Sequence, residues 1–441
     1  METKLNYKRT FLIGLAFLSI CSFWQMYDNI IPLILQNTYH LGETMTGAVM
    51  ALDNVLAIFL LPVFGTLSDK VHTKLGRRMP FIVAGTILAV IFMMLLPMID
   101  NAEKARWSTG ESFSNQVIFL AVLFFTLVSM GLYRSPAVAL MPDVTPNHLR
   151  SRANAVINLM GAVGGVYALI MIKVLVGKGE TPDYLPLFAS IAAVMAIAVG
   201  ILVITIRENK LREEVEKVES ANAGTIEEKA MAEGTNGMPK EVKRSMYFML
   251  ASIFLWFTAY NAVTTAFSRY TKVVWKMEGG SFANCLMVAT VAAIFSYIPI
   301  GSISAKIGRK KTIMGGVLLM AACYGGAIFA REYHPIINVA FALIGVAWAA
   351  INVNSYPMIV AMSSGSDVGK FTGTYYTFSM AAQILTPVLS GFLLENVSYN
   401  TLFPYAMFFS LMAFLTMTQV RHGDVKPQKK ESILENFDVD D

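Results

Sequence analysis

Three ionisable side chains, Asp28, Asp53 and Arg134, lie deep inside long apolar stretches of this chain. A charge in hydrocarbon is costly and is kept where function requires it. Asp28 stands about 17 residues up the first stretch and Asp53 about 14 residues from the basic end of the second, or ~26 and ~21 Å at helical rise. Similar depth on adjacent helices permits a joint site. A carboxylate so placed is relieved of its charge by a proton or a sodium ion, so Asp28 and Asp53, with Asn54 beside the latter, are the candidate ion-coupling residues. Structural roles also fit: Asp28 at an irregular turn before Pro32, Asp53 and Asn54 as a polar link between helices. The planar fork of Arg134 suits hydroxyls or a carboxylate, and its structural alternative is a fixed pair with Asp143.

Hydrogen-bonding side chains recur beside flat aromatic faces at helical spacing. Trp24 and Asp28 share a face, with Gln25 adjacent, and Asn154 and Asn158 share another. Further along, Trp256 and Tyr260 share a face next to Asn261, Trp348 pairs with Asn352, and Tyr375, Tyr376 and Gln383 follow one another. Such pairings suit a polyhydroxyl ligand such as a sugar. The candidate substrate-binding residues are therefore Trp24, Asp28, Arg134, Asn158, Tyr260, Asn261, Asn352, Tyr376 and Gln383. Packing or an interface belt is the plainer role for any single aromatic, whereas an amide facing lipid is penalised. Gly161 to Gly165 is a small-residue step suited to close helix contact.

Positioning these side chains takes long helices in a bilayer. Of the 441 residues 55% are apolar and 15% charged, so lipid rather than a soluble core must take up the apolar surface. Apolar runs predict twelve spans, near 11–35, 46–67, 80–99, 116–141, 154–176, 184–206, 246–271, 283–304, 312–330, 335–361, 372–394 and 402–420. The expected fold is an all-α polytopic membrane protein with twelve transmembrane helices in two pseudo-symmetric six-helix bundles. Its parts are an amino-terminal bundle over 1–206, a cytoplasmic linker over 207–245, a carboxy-terminal bundle over 246–420 and a cytoplasmic tail over 421–441.

The first span is too long for a signal-peptide core and reads as a retained helix. Lys70, Lys74, Arg77, Arg78, Arg150, Arg152 and the run Lys306 to Lys311 fall on one side, together with both termini, which makes that side cytoplasmic and the chain multi-pass in the cell membrane. The net charge of +5 follows this topology and attraction to anionic lipid, not nucleic acid. Cys21, Cys285 and Cys323 fall inside spans and imply no disulfide framework. The linker mixes Glu and Lys at helical spacing before GTNGMPK, as a surface helix with a flexible joint does; a regulatory docking site is the alternative. No nucleotide-binding glycine loop, zinc-spaced His or Cys set or nucleophile elbow is present, so neither enzyme, cofactor nor metal site is expected.

One basic loop occurs twice. GTLSDKVHTKLGRRMPFI runs from Gly65 to Ile82, and its skeleton returns as GSISAKIGRKK from Gly301 to Lys311. Gly65 permits close approach, and Asp69 can accept hydrogen bonds from the amino end of a neighbouring helix, where the dipole is positive. Such a contact would latch the cytoplasmic side; the plainer reading is that the arginines only anchor helix ends. The pattern G-x-x-x-D-(R/K), then G-R-(R/K), resembles the loop after the second helix in major facilitator superfamily transporters. The longer first copy is similar to that of the sucrose and disaccharide carriers and the glycoside-pentoside-hexuronide cation symporters. YRSPAVALMPDV, SRANAVINLMGAVGG and VGKFTGTYYTFSMAAQILTPVLSG carry the same resemblance.

The resemblance implies a sugar carrier coupled to H+ or Na+, working by alternating access as a monomer without a cofactor. It assigns gating to Gly65, Asp69, Lys70, Gly76, Arg77 and Arg78, and in the second copy to Gly308, Arg309 and Lys310, where Ala305 replaces the aspartate. Arg134 in Tyr133-Arg134-Ser135-Pro136 matches the fourth-helix arginine of the sucrose carriers. Their coupling aspartates are not carried over, since Leu61 and Leu123 stand at those places, and Asp53 is the substitute by chemistry alone. A carrier or exporter of amphiphiles such as lipids or drugs, and a membrane sensor that has lost transport, are the competing readings.

Overall fold

The computed structural model describes residues 5–109, 114–146, 149–179, 181–218, 239–362 and 368–424. The parts of the expected linker and tail at 219–238 and 425–441 lie outside them. Twelve long helices are present among the described residues: α1 Tyr7–Asn37, α2 Glu43–Lys70, α3 Met79–Thr109, α4 Gln116–Asp143, α5 Arg150–Leu175, α6 Leu185–Thr205, α7 Lys240–Val273, α8 Ala283–Ile307, α9 Arg309–Ala327, α10 Ile337–Met362, α11 Val368–Asn396 and α12 Leu402–Thr418. Eleven are long and apolar enough to cross a membrane. The other, α9, opens with Arg309, Lys310 and Lys311, which dilute its apolar content.

The repeat in the sequence is also a repeat in packing. In the first half α1 packs on α5 and α6, and α3 on α4 and α6; in the second α7 packs on α11 and α12, and α9 on α10 and α12. The least buried spans are α2 and α8, whose Ile58, Phe59, Val63 and Phe295 turn outward. In water that surface would drive aggregation; in a bilayer it meets acyl chains.

Two compact units emerge. Unit 1 comprises Met1–Leu41, Leu52–Gly224 and Glu278–Ala283, and unit 2 comprises Gly42–Ala51, Thr225–Met277 and Asn284–Asp441. In unit 1 α5 meets α1 closely at Gly161, against the Cys21 side chain, and at Gly164, against the α1 backbone: a Cβ at Gly164 would lie 2.0 Å from the Leu18 carbonyl oxygen, and Ser22 donates to the Gly164 carbonyl at 2.9 Å. Gly165 has ordinary space, so the small-residue step works through its first and fourth residues.

α3 continues past the expected end at 99, because the charges that stop a hydropathy reading are satisfied in place. Lys104 pairs with Asp100 at 2.5 Å, Thr38 donates to Asp100 at 2.6 Å, and Glu103 accepts from the Asn115 backbone N–H at 2.8 Å. A short helix over 208–218 follows α6 and lies against the basic loop and the start of α1, through Asn209 donating to the Thr73 carbonyl at 2.9 Å and Arg9 facing Glu214 at 3.6 Å.

Candidate functional site

The first basic loop is a closed charge network inside unit 1. Asp143, at the end of α4, takes Arg77 at 2.6 Å and Arg78 at 2.8 Å. Arg78 also reaches Asp69, Ser68 and, at 3.1 Å, the Gly65 carbonyl. Burial works against the Arg77 charge, but the carboxylates of Asp143, Asp69 and Glu208 outweigh it and hold its pKa above the ordinary arginine value. Asp69 is half exposed, and its ion pairs are with Arg77 and Arg78. Lys70 is exposed at the end of α2.

The helix amino end in this network is capped by Glu208, a residue the sequence reading passed over. Its wholly buried carboxylate accepts from the backbone N–H groups of Arg77, Arg78 and Met79 at 2.9–3.0 Å, where the loop enters α3. Gly76 lets the chain turn there: its φ is 123°, and a Cβ would sit 2.1 Å from a Glu208 oxygen. The second loop repeats the device in unit 2. Gly308 has φ 96°, and Asp424 accepts from the Lys310 backbone N–H at 3.0 Å, while Arg309 donates to the Pro357 carbonyl and Lys310 to that of Val420. The available signal was position, since Glu208 and Asp424 each follow the last span of a half.

Deep in unit 1, α1, α2 and α4 bring together Trp24, Asp28, Asp53 and Arg134. The Arg134 guanidinium lies 5.8 Å from the Trp24 ring centroid, and Asp53 is within electrostatic range of both Arg134 and Asp28. Asn54 donates to Asp53 at 2.9 Å. The neighbours of Arg134 fix its place: Tyr133 is fully buried and donates to the Ala16 carbonyl on α1, and Ser135 donates to the Leu61 carbonyl on α2 at 2.7 Å. Asp143 is engaged by Arg77 and Arg78 and is not the partner of Arg134. Among the described residues the buried Trp24 Nε1 and Tyr27 hydroxyl have no hydrogen-bond partner. Asn158 lies half-buried on α5.

In unit 2 the expected residues gather only in part. Tyr260 of α7 stacks on Trp348 of α10 at 3.8 Å and 8°, with Phe257 edge-on at 5.3 Å. Asn352 is buried one turn beyond Trp348, and the buried Asn261 Nδ2 has no partner among the described residues. Trp256 is fully buried. On α11, Tyr376 meets Tyr375, which meets Tyr356 of α10, and Gln383 lies half-buried two turns on.

A further buried ion pair was missed. Arg269 of α7 donates to Glu43, the first residue of α2, at 2.7 Å; both are under 5% exposed, and the Tyr399 hydroxyl donates to the same carboxylate. Beside it, Thr44 N–H meets Glu395 at 2.8 Å, and Gly47 brings α2 against the Pro387 carbonyl, where a Cβ would lie 2.0 Å away. Arg269 falls inside the expected span 246–271 and is a buried charge that the span reading did not single out.

Sequence and structure comparisons agree with this architecture. Over 116 residues the chain is 35% identical to the sucrose transport protein SUC4 of Arabidopsis thaliana, covering 25% of this chain and 22% of that protein. Over 101 residues it is 30% identical to the chloramphenicol resistance protein CraA of Acinetobacter baumannii, covering 23% and 24%. The chain spans about a quarter of the length of the curated relatives it matches. Among solved structures, the inward-open xylose transporter XylE from E. coli superposes with a TM-score of 0.65 at 14% identity over 98% of each chain. A bacterial homologue of the iron transporter ferroportin does so with 0.67 at 12% identity over 95% and 99%. At such identities these likenesses show the fold. The Major Facilitator Superfamily model matches residues 12–330 and 276–436, and the chain belongs to that family of membrane transporters.

Proposed function

We propose that this transporter is a secondary carrier that moves a sugar, a glycoside or disaccharide, together with H+ or Na+ by alternating access. The observation that carries this reading is the group in unit 1, where Arg134 lies by the Trp24 ring, within electrostatic range of Asp53, which in turn faces Asp28, and the buried Trp24 Nε1 has no partner among the described residues. An aromatic face with a planar donor fork suits a sugar ring and its hydroxyls, and the paired carboxylates suit a co-transported cation. The Tyr260–Trp348 stack and Asn261 supply the same chemistry in unit 2. Similarity to sucrose transport proteins supports the sugar class.

In this reading both termini and the two basic loops are cytoplasmic, the chain works as a monomer, and Gly65, Asp69, Lys70, Gly76, Arg77, Arg78, Gly308, Arg309 and Lys310 belong to the gating machinery. Similarity to a chloramphenicol resistance protein favours a second reading, export of an amphiphile. Uptake of radiolabelled sucrose, melibiose and xylose into proteoliposomes, with imposed pH or sodium gradients, decides between them. The sugar reading expects gradient-driven accumulation of at least one; accumulation of none, with chloramphenicol moved instead, selects the export reading.

A further inference from the structure

Lys240, Lys243, Arg244, Tyr247, Phe248 and Ala251 line a groove of about 380 Å³ on α7. Their spacing makes a single helical stripe, cationic for its first turn and apolar below. Lys243 lies 6.0 Å from the Tyr247 ring centroid and Arg244 5.8 Å from that of Phe248, so each cation tops an aromatic. Tyr247 is 60% exposed. The groove opens at the basic end of unit 2: Ser245 contacts His422 at 2.9 Å and the Arg421 backbone N–H at 3.1 Å, and Lys310 reaches the Val420 carbonyl at 2.6 Å.

We infer that this groove binds one anionic phospholipid from the leaflet on the side of the basic loops, its phosphate among Lys240, Lys243 and Arg244 and an acyl chain along Tyr247, Phe248 and Ala251. Charge complementarity identifies the headgroup: three cations line the groove, and Glu241, the acid beside Lys240 on the same helix, is not part of its lining. The apolar lower half identifies a lipid over a peptide, because a polar segment such as the linker would leave backbone groups unsatisfied at that depth, whereas an acyl chain has none. The site is independent of the cargo and of the cluster around Asp28.

Delipidated full-length protein is titrated with dioleoyl phosphatidylglycerol or dioleoyl phosphatidylcholine, and bound lipid is read by native mass spectrometry. The expected result is a preference for phosphatidylglycerol of roughly tenfold or more. It is lost in the combined variant Lys240→Gln, Lys243→Gln, Arg244→Gln and kept in the charge-preserving variant Lys240→Arg, Lys243→Arg, Arg244→Lys. Should the neutral variant fail to fold, the single change Tyr247→Glu, at an exposed position, lowers the preference by setting a negative charge in the groove. Equal binding of the two lipids by the wild type, or a preference untouched in the folded variants, overturns the assignment. So does displacement of the lipid by millimolar glycerol 3-phosphate, which would mark a free-phosphate site. A preference that emerges only after proteolytic cleavage within 219–238 would give the groove to the linker.

Discussion

Glu208 and Asp424 hold equivalent places: each follows the last helix of its half and accepts a hydrogen bond from the amino end of that half's third helix, beside a glycine of positive φ. The basic loops are therefore fixed from behind by carboxylates outside the repeated motif. In the first half the cap is wholly buried and takes three N–H groups, and in the second it is exposed and takes one from Lys310.

The two caps should differ in worth. Glu208→Ala strands the buried N–H groups of Arg77, Arg78 and Met79 and should cost roughly 2 to 3 kcal/mol. Asp424→Ala should cost distinctly less. Thermal unfolding of the purified proteins in one detergent measures both, and equal melting temperatures for the two variants would contradict the ranking.

The fold was legible because a bilayer imposes a simple rule, in which an apolar run of about 20 residues has one way to satisfy its backbone. The ends of helices were less so. Asp100 and Glu103 look like stop signals, yet α3 continues through them because Lys104, Thr38 and the Asn115 N–H meet their charge, and sequence does not display partners. Asp28, Asp53 and Arg134 were legible as isolated charges in apolar runs. Glu43 was not, since an acid in a first helical turn is an ordinary capping choice until Arg269 is placed against it. A fixed pair of Arg134 with Asp143 was the structural alternative, and the loop takes it away by giving Asp143 to Arg77 and Arg78.

The Glu43–Arg269 pair should behave as a buried salt bridge. Removing one partner leaves an uncompensated charge, so Glu43→Gln and Arg269→Gln should each destabilise by about 3 to 5 kcal/mol, while the double variant should cost far less than their sum. A double-mutant cycle on thermal unfolding tests this. Simple additivity would mean that the two charges do not depend on each other.

Arg134 stands between Tyr133, tied to α1, and Ser135, tied to α2, so its place on α4 is fixed, and its guanidinium lies by the Trp24 ring. Lysine keeps the charge but presents a single point donor. Arg134→Lys should therefore lose sugar uptake by about tenfold or more while unfolding at the wild-type temperature, since a lost charge-assisted bidentate bond is of order 1.5 to 3 kcal/mol. Full uptake with unchanged apparent affinity would show that the position needs only a cation.

Asp53 offers the sharpest test of coupling. It shares a deep site with Asp28 and Arg134, and Asn54 already donates to it. Asp53→Asn keeps the shape and removes the charge, so a carrier that couples through Asp53 should lose its cation without losing the pathway for sugar. In proteoliposomes the variant should let the internal sugar concentration rise only to the external one, whatever gradient is imposed, and should still exchange labelled for unlabelled sugar. Asp28→Asn should be more severe, because Asp28 stands one turn from Trp24 on α1 and in the proposed reading serves sugar as well as cation. It should reduce exchange as well as accumulation. Gradient-driven accumulation at the wild-type level in Asp53→Asn would remove that residue from coupling and leave Asp28 as the remaining deep carboxylate to examine.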